Sequence, residues 1–305
     1  MSGSSGLSLN ALYDLSGRIA LVTGGGSGIG LMIARGLATN GAKVYISGRR
    51  KEALEKAAKS LDSSAKGSLY PLPMDVTYKA SILEGVKAIE QQEGKLHILV
   101  NNSGQVGPVS SFFNDLSSPE HKEPGTLGRA LFDNESFESW SDVYRVNTFS
   151  IFFVTTAFLG LLSKGSEDSK HWQSSVVNIT SISGVMRLAQ NHFAYNSGKA
   201  ASSHLTRILA TEFALKGVPV RVNAVAPGVY ATEMTQRVIP DPESVSVEQT
   251  NKVGQTILPV PAGRPGNAQE VSGIVIYLVS PAGCYTNGQE IIIDGGYLAV
   301  NPSTR

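Results

Sequence analysis

A glycine-rich turn near the start of the chain limits the possible folds more than any other segment. Residues 18–22 form a continuous apolar run, which is typical of a strand buried on both faces of a parallel sheet. The turn Thr-Gly-Gly-Gly-Ser-Gly-Ile-Gly follows at 23–30, and a helical pattern then leads to a second apolar run at 43–47. This order predicts a βαβ unit that holds the pyrophosphate of a dinucleotide at the helix N-terminus.

The glycines of this turn have separate predicted tasks. We expect Gly24 to permit the tight turn, Gly28 to let the backbone approach the pyrophosphate, and Gly30 to let helix and strand pack closely. Ser27 and Ile29, between them, are predicted to contact the same cofactor. A flexible turn without a ligand is the alternative, and the position between a strand and a helix argues against it.

Strand and helix patterns alternate along the rest of the chain, which predicts an α/β fold with a doubly wound, Rossmann-like parallel sheet. We expect a flexible N-terminal tail at 1–14 and a single domain at 15–305. Two long polar segments, near 105–136 and 230–265, interrupt the alternation as insertions. Ligands of such sheets bind at the carboxyl ends of the strands.

Composition excludes several classes of partner. The net charge of +1 gives no reason to expect nucleic acid or an acidic membrane surface. The longest apolar run, 149–162, is shorter than the ~18 residues of a membrane span. Cys284 is the single cysteine, so no intrachain disulfide and no multi-cysteine metal site is expected. The first ten residues lack the pattern of a signal peptide, and we expect a cytoplasmic protein with no bound metal.

A tyrosine and a lysine suggest the chemistry. Tyr195 and Lys199 are four residues apart in a helical pattern and would share one helix face. An ammonium beside a phenol lowers a pKa that starts near ~10. Together with the hydroxyl of Ser181, which follows the apolar run 176–179, this pair predicts a proton donor directed at a carbonyl oxygen. A bare Tyr-x-x-x-Lys pair is more often a surface feature, and its position after Ser181 favours the functional interpretation.

Several motifs follow one another along the chain. They are the turn at 23–30, Asp75, Asn101-Asn102-Ser103-Gly104, Asn147, Ser181, Tyr195-x-x-x-Lys199 and Asn223-x-x-x-Pro227-Gly228. In these ordered motifs the sequence resembles the short-chain dehydrogenase/reductase family, and within it the 3-oxoacyl reductase-like members. Ser181 and Gly184 match the Ser-x-x-Gly pattern of the family, which selects Ser181 over the neighbouring hydroxyls of Thr180 and Ser183.

The resemblance implies a role for each catalytic candidate. Tyr195 would be the general acid in reduction and the base in oxidation, and Lys199 would lower its pKa and bind the nicotinamide ribose. Ser181 would steady the substrate oxygen. Asn147 would position a water in a proton relay, or would be a polar residue at a helix kink, and both can hold at once.

The resemblance also implies cofactor contacts. Asp75 would accept from the adenine amino group or would cap a helix, and Asn102 would hold the ribose or the opening of the sheet. The other expected contacts are Val76, Pro227, Gly228, Val229 and Thr232. Val229 and Thr232 would hold the carboxamide.

The end of the second strand predicts the choice of cofactor. An enzyme that selects NAD usually places a carboxylate there to bind the ribose 2′-hydroxyl. This chain has Ser47-Gly48-Arg49-Arg50 instead, and its next acid is Glu52. Arg49 and Arg50 are predicted to pair with a 2′-phosphate, which would make the cofactor NADP(H). Solvated charges at a helix start are the alternative.

The sequence therefore predicts an NADP(H)-dependent oxidoreductase that interconverts a ketone or 3-oxoacyl group and a secondary alcohol. Phe112, Phe113 and Phe132 suggest an apolar substrate, or they fasten a long loop to the core. Family resemblance implies a homodimer or homotetramer built from the helices around Phe149 and Thr206. The alternative function is a catalytically silent NADP-binding protein that senses redox state or serves as a scaffold.

Overall fold

The computed structural model describes residues 4–232, 235 and 245–303. Its centre is a seven-stranded sheet in which every pair of neighbours is parallel, in the order β3-β2-β1-β4-β5-β6-β7. The strands are β1 (Ile19–Thr23), β2 (Lys43–Gly48), β3 (Ser68–Pro73), β4 (Ile98–Asn101), β5 (Ser174–Ile179), β6 (Val220–Pro227) and β7 (Glu290–Ile293). The predicted doubly wound α/β fold in one domain is confirmed.

Helices cover both faces of this sheet. One face carries α2 (Gly28–Thr39), α3 (Lys51–Lys59) and α10 (Ala268–Val279), and the other carries α4 (Lys79–Glu93), α7 (Ser150–Ser166) and α8 (Phe193–Leu215). Each layer closes a separate apolar core against the sheet. All residues of β1, β4, β5 and β6 are buried, which explains their continuous apolar runs in the sequence.

The order of the strands reverses between β1 and β4, because β2 and β3 extend from one side of β1 and the later strands from the other. A crevice opens at the carboxyl ends of strands at such a reversal. The loops that follow β1 and β4 meet there, and Asn102 Nδ2 donates to the carbonyl of Gly24 at 3.2 Å.

The segments predicted as a tail and as insertions contain short helices. The predicted flexible tail includes α1 (Leu9–Tyr13), which Ser8 caps through a bond from the Ala11 N–H. The 105–136 segment includes α5 (Pro124–Asn134), with a proline in its first turn. The 230–265 segment includes α9 (Val247–Gly254). Each helix is short and lies largely at the surface, so it lacks the periodic apolar face that reveals a helix in a sequence.

The sequence pattern over 137–162 predicts one long helix, and the structure shows that this helix is interrupted. It consists of α6 (Phe137–Tyr144), a π-helical turn (Arg145–Phe149) and α7, and a last helix, α11 (Tyr297–Val300), follows β7. Among the described residues, the run Phe137–Ser166 is one helix that could cross a membrane by length and composition. Half of its most apolar window is buried in the protein, as in a core helix, so this is weak evidence for a span.

Candidate active site

A cleft of about 870 Å³ lies at the carboxyl ends of β1, β2, β3 and β4 and reaches the start of α8. Most of the residues predicted to bind a cofactor line it. They are Gly24, Ser27, Gly28, Ile29, Arg49, Arg50, Asp75, Val76, Asn102, Tyr195, Lys199 and Thr232. The sequence motifs therefore converge on one cleft in the structure.

The glycine turn is shaped by backbone conformations that other residues rarely adopt. Gly24 has φ +63° and Gly28 has φ +52°. A Cβ on Gly30 would lie 2.3 Å from Asn102 Nδ2, so only glycine lets α2 start this close to the loop after β4. Ser27 precedes α2 without a capping bond from its side chain, which leaves N–H groups of the first turn for a ligand. These features fit a pyrophosphate.

The end of β2 carries an unsatisfied hydroxyl beside two cations. Ser47 is fully buried, and within the described residues its Oγ has no hydrogen-bond partner. Arg49 and Arg50 are exposed at the mouth of the same cleft. In the described part of the chain no carboxylate pairs with Arg49. A buried hydroxyl without a partner is costly, and an anion that reaches it would satisfy it. These residues fit a phosphate-bearing cofactor.

Asp75 and Asn102 both hold backbone. Asp75 Oδ1 accepts from the N–H and the hydroxyl of Thr77, at 2.9 and 2.7 Å. Tyr78, not Asp75, is the N-cap of α4. Asn102 Nδ2 donates to the carbonyls of Thr23 and Gly24, at 3.0 and 3.2 Å, so this amide fastens the opening of the sheet. Both side chains line the cleft as well.

Of the predicted residues at and after the end of β6, Thr232 lines the cleft, whereas Pro227, Gly228 and Val229 do not belong to its lining. The N–H of Gly228 donates to the carbonyl of Ile293 at 3.0 Å, directly after Pro227 ends β6. The carbonyl of Val229 accepts from Gly266 at 2.9 Å. Thr232 lies opposite Gly28, where a Cβ on that glycine would be 3.4 Å from Thr232 Cβ.

Lys199 is a buried cation without a carboxylate. Its residue is 4% exposed, and its Nζ donates to the carbonyl of Ile179 at 2.9 Å. The same Nζ lies 5.7 Å from the centroid of the Tyr195 ring. Burial lowers the pKa of Lys199 to about 8. Within the described residues none of the ion pairs includes Lys199.

The pKa of Tyr195 differs from the prediction. The spacing of the two residues predicts that Lys199 lowers it, whereas burial of the phenol has the larger effect and raises it. A hydrogen bond with Ser181 opposes this rise. The physical reason is that removal of water destabilises a phenolate more than this hydrogen bond stabilises it. Tyr195 therefore holds its proton at neutral pH in this structure.

The structure separates Ser181 from its two rivals. Ser181 accepts from the N–H of Ser183 at 3.1 Å, and its hydroxyl lies near enough to the Tyr195 phenol to lower the pKa of that phenol. The hydroxyl of Ser183 donates to Gln190 Oε1 at 3.2 Å. Thr180 donates to the carbonyl of Val225 at 3.0 Å and to Glu290 at 2.9 Å. Ser181 is the hydroxyl of the three that reaches Tyr195.

Asn147 lies in the π-helical turn between α6 and α7 and is 1% exposed. Its Oδ1 accepts from the N–H of Gln105 at 2.8 Å, and its Nδ2 donates to the carbonyl of Gln105 at 2.9 Å. A Cβ on Gly104 would lie 3.4 Å from Asn147 Oδ1 and 3.9 Å from Lys199 Nζ, which places the two side chains around one glycine. The helix irregularity considered for Asn147 is present, and such turns are frequent at functional sites.

Sequence reasoning missed the backbone that supports these side chains. The carbonyl of Ile179 holds Lys199, and the peptide of Gln105 holds Asn147. Backbone groups leave no residue-specific signal in a sequence. The available hints were the position of Ile179 at the end of a predicted strand and that of Gln105 directly after the Asn101–Gly104 motif. His192 is half-buried, and its ring centroid lies 6.5 Å from that of Tyr195.

The protein-family model "short chain dehydrogenase" matches residues 18–243. A short-chain dehydrogenase/reductase of Byssochlamys spectabilis, VdtF, is 35% identical, and the match covers 98% of both chains. The rhamnolipids biosynthesis 3-oxoacyl-[acyl-carrier-protein] reductase of Pseudomonas aeruginosa is 32% identical over 95% of this chain and 99% of its own.

Solved structures agree with these matches. The Pseudomonas aeruginosa RhlG/NADP active-site complex superposes with a TM-score of 0.77 and 32% identity, over 94% of this chain and 98% of the other. A 7α-hydroxysteroid dehydrogenase complexed with NADH and 7-oxo glycochenodeoxycholic acid gives a TM-score of 0.73 and 28% identity, over 93% and 96% of the two chains. The chain belongs to the short-chain dehydrogenase family of oxidoreductases, near its 3-oxoacyl-[acyl-carrier-protein] reductase-like members.

Proposed function

We propose that the protein is an NADP(H)-dependent oxidoreductase that interconverts a ketone or 3-oxoacyl group and a secondary alcohol, with Tyr195 as general acid and base. The buried Lys199 carries this proposal. It has no carboxylate partner in the described residues, it lies beside the Tyr195 ring, and it opens onto the cleft. An uncompensated buried ammonium destabilises the fold, and it becomes useful when a negative charge develops next to it.

The side chains then divide the work. The raised pKa of Tyr195 keeps the phenol protonated. The phenol gives its proton to the carbonyl oxygen once that oxygen has become basic enough to take it. Ser181, whose hydroxyl lies near the Tyr195 phenol, is placed to donate to the same oxygen. Lys199 stabilises the phenolate that remains on Tyr195. A bound NADPH would supply the hydride, and the reverse reaction would use Tyr195 as the base.

The end of β2 supports NADP(H) rather than NAD(H). Ser47 supplies a buried, unsatisfied hydroxyl, and Arg49 supplies a guanidinium that no described carboxylate neutralises. A 2′-phosphate would satisfy both, because guanidinium and hydroxyl donors suit phosphate oxygens. The NADP complex of the Pseudomonas aeruginosa relative agrees with this choice, and the NADH complex of the hydroxysteroid dehydrogenase shows that the fold accepts either cofactor.

A mostly apolar or acyl substrate remains our proposal. The ring of Phe113 packs edge-on against that of Phe193, and the two centroids are 5.0 Å apart. Phe193 lies two residues before Tyr195 on α8. This contact brings the 105–136 segment to the start of α8, and it also fastens that segment to the core. Phe132 is 76% exposed and lies beside Arg129, so it contributes less to such a pocket.

We further propose a homodimer or homotetramer built on α7 and α8. Exposed apolar side chains lie on these helices and on the turn before α7, at Phe149, Phe152, Phe153 and Ile208. Such a patch usually marks an interface. Phe152→Glu should lower the mass measured by light scattering to that of a smaller assembly, whereas an unchanged mass would place the interface elsewhere. Thr156→Ala, on the same helix, is the control.

The function is tested by following the loss of NADPH absorbance with a panel of ketones and 3-oxoacyl thioesters. We expect turnover with at least one class of apolar carbonyl compound and none in the Tyr195→Phe protein. NADPH binding without turnover across the whole panel would instead support the silent redox-sensing or scaffold protein.

A further inference from the structure

A buried carboxylate lies behind the catalytic residues and takes no part in the chemistry described so far. The side chain of Glu290, at the start of β7, is 1% exposed. Its Oε1 accepts from the hydroxyl of Thr180 at 2.9 Å and from the hydroxyl of Ser203. Its Oε2 pairs with Nη2 of Arg207 at 3.2 Å, and the Arg207 side chain is 47% exposed.

These partners belong to the two elements that must meet in the active site. Thr180 directly precedes Ser181 at the end of β5. Ser203 is one turn beyond Lys199 on α8, and its hydroxyl also donates to the carbonyl of Lys199 at 3.1 Å. One carboxylate therefore joins the segment that carries Ser181 to the helix that carries Tyr195 and Lys199.

The register of the sheet explains how a residue on the last strand reaches this position. Asn101 pairs with Asn178, Asn178 with Ala224, and Ala224 with Glu290, so the four residues form one row across β4, β5, β6 and β7. Asn178 Nδ2 donates to the hydroxyl of Thr206 on α8 at 2.9 Å, which shows that this row faces α8. The small side chain of Ala224 leaves room for Glu290 to extend towards Thr180.

The row thus places polar groups against α8. Apolar groups in the same place would restrict movement of the helix along its axis less. Hydrogen bonds restrict position along the helix axis more strongly than apolar packing, which is not directional. Glu290 is the member of the row that carries a carboxyl group, and it accepts from both elements. A carboxylate makes stronger hydrogen bonds than a neutral acceptor.

We propose that Glu290 is a positioning residue, which sets the place of Ser181 relative to Tyr195 and Lys199 through Thr180 and Ser203. This inference rests on the proposed function for its kinetic consequences. Its structural consequence, the placement of the Ser181 hydroxyl beside the Tyr195 phenol, can be measured without any substrate.

The experiment compares Glu290→Leu, Glu290→Gln and Thr180→Val with the control Gln289→Ala. Gln289 is the exposed neighbour of Glu290, and its side chain contacts Asn287 rather than α8. Each protein is assayed for kcat, KM and NADPH affinity. The NMR signal of isotope-labelled Tyr195 is then recorded in each cofactor-free protein and assigned with Tyr195→Phe. Ser181→Ala gives the signal expected when the Ser181 hydrogen bond is lost.

For Glu290→Leu and Thr180→Val we expect kcat to fall at least about tenfold with NADPH affinity unchanged, because small displacements in an active site are expensive. The Tyr195 signal should move towards its position in Ser181→Ala. Glu290→Gln keeps an acceptor of the same shape and should retain kcat within about threefold. If Glu290→Leu does not fold, Thr180→Val carries the same test.

Two results would overturn the proposal. One is an unchanged Tyr195 signal together with an unchanged kcat per NADPH-binding site in the leucine and valine variants. The other is a loss in Glu290→Gln as large as in Glu290→Leu, which would indicate a role for the charge instead of the hydrogen bonds. If the wild-type protein reduces no carbonyl compound, the proposed function fails, and the Tyr195 signal still decides the role of Glu290.

Discussion

The two walls of the active site are built in different ways. On the cofactor side, the ends of β1–β4 supply the wall, and the left-handed backbone positions there are glycines such as Gly24 and Gly28. On the side of Ser183 and the start of α8 lie three connected segments, 105–136, 186–192 and 245–265, which we call the outer segments. Besides the left-handed glycines Gly107 and Gly263, these segments hold left-handed residues that are not glycines: Gln190 has φ +52°, Asn191 φ +62° and Gln255 φ +44°.

The outer segments are held by hydrogen bonds to one another and to the C-terminal residues. Ser110 N–H donates to the carbonyl of Asn191 at 3.0 Å, and Asn114 donates to Gln255. Gln190 and Tyr297 both donate to the carbonyl of Gly254. A left-handed non-glycine residue costs about 1–2 kcal/mol, and it persists where surrounding contacts hold it.

This difference determines which wall can change independently of the sheet. The cofactor wall is part of the sheet, so a change there disturbs the core. The outer segments are fixed mainly by a few side chains and peptides, so they can be remodelled without a change in the sheet. We therefore expect substitutions on the two walls to separate cofactor binding from substrate binding.

Tyr195→Phe should remove most of the turnover and leave cofactor affinity near that of the wild type, because only the proton transfer is lost. General acid–base groups contribute roughly 10²–10⁴-fold. The measurement is kcat at saturating NADPH, together with the dissociation constant of NADPH from fluorescence. Near-normal turnover would show that another group supplies the proton.

Arg49→Ala should weaken NADPH binding by about ten- to hundredfold and leave NADH binding nearly unchanged, because charge-assisted hydrogen bonds contribute roughly 1.5–3 kcal/mol. The matched control is Lys51→Ala, an exposed cation in the same stretch that lies 3.8 Å from Glu55. Higher kcat/KM with NADH than with NADPH in the wild-type protein would contradict the cofactor assignment.

Asn114→Ala tests the outer wall. It removes the hydrogen bond that joins the 105–136 segment to Gln255 after α9. A hydrogen bond of this kind contributes about 0.5–1.5 kcal/mol, so KM for the carbonyl substrate should rise roughly two- to tenfold. NADPH affinity should not change. Ser117→Ala, whose hydroxyl bonds only to nearby Asp115, is the control. An equal loss of NADPH affinity would mean that the two walls are coupled.

The sequence predicted the cofactor wall better than the outer wall for a physical reason. Gly24, Gly28 and Gly30 are required by backbone geometry that few other residues allow, so their spacing carries a strong signal. Buried parallel strands have continuous apolar runs, so the strands of the sheet could also be predicted from the sequence. The family resemblance and the fold class predicted from these features are confirmed.

The outer wall left weaker signals. Its short surface helices have little apolar periodicity, and the contacts of Gln190 and Asn114 join residues far apart in the sequence. The π-helical turn at Asn147 arises from tertiary contacts with Gln105 and Ser202, which no local pattern reveals. The predicted shift in the pKa of Tyr195 was wrong in direction, because the sequence spacing shows a neighbouring charge but not the loss of water around the phenol.

Lys199→Met should increase the stability of the cofactor-free protein by a small amount. The folded-state pKa of Lys199 is about 8, below its ordinary value of 10.5, so the folded protein binds this proton less tightly than the unfolded chain does. The cost of the buried charge is therefore fully present below pH 8 and disappears as the pH rises past the unfolded value.

Methionine has a similar stem and removes that cost, while it leaves the carbonyl of Ile179 without its donor. The net gain should be about 1 kcal/mol in the unfolding free energy of the cofactor-free protein at pH 7. The check is urea unfolding of both proteins over a range of pH, since their difference should shrink as the solution becomes alkaline. A difference that stays constant with pH would show that packing, not the buried ammonium, is responsible. The variant should also lose turnover, and a more stable but inactive protein would show that the charge is kept for chemistry at the expense of stability.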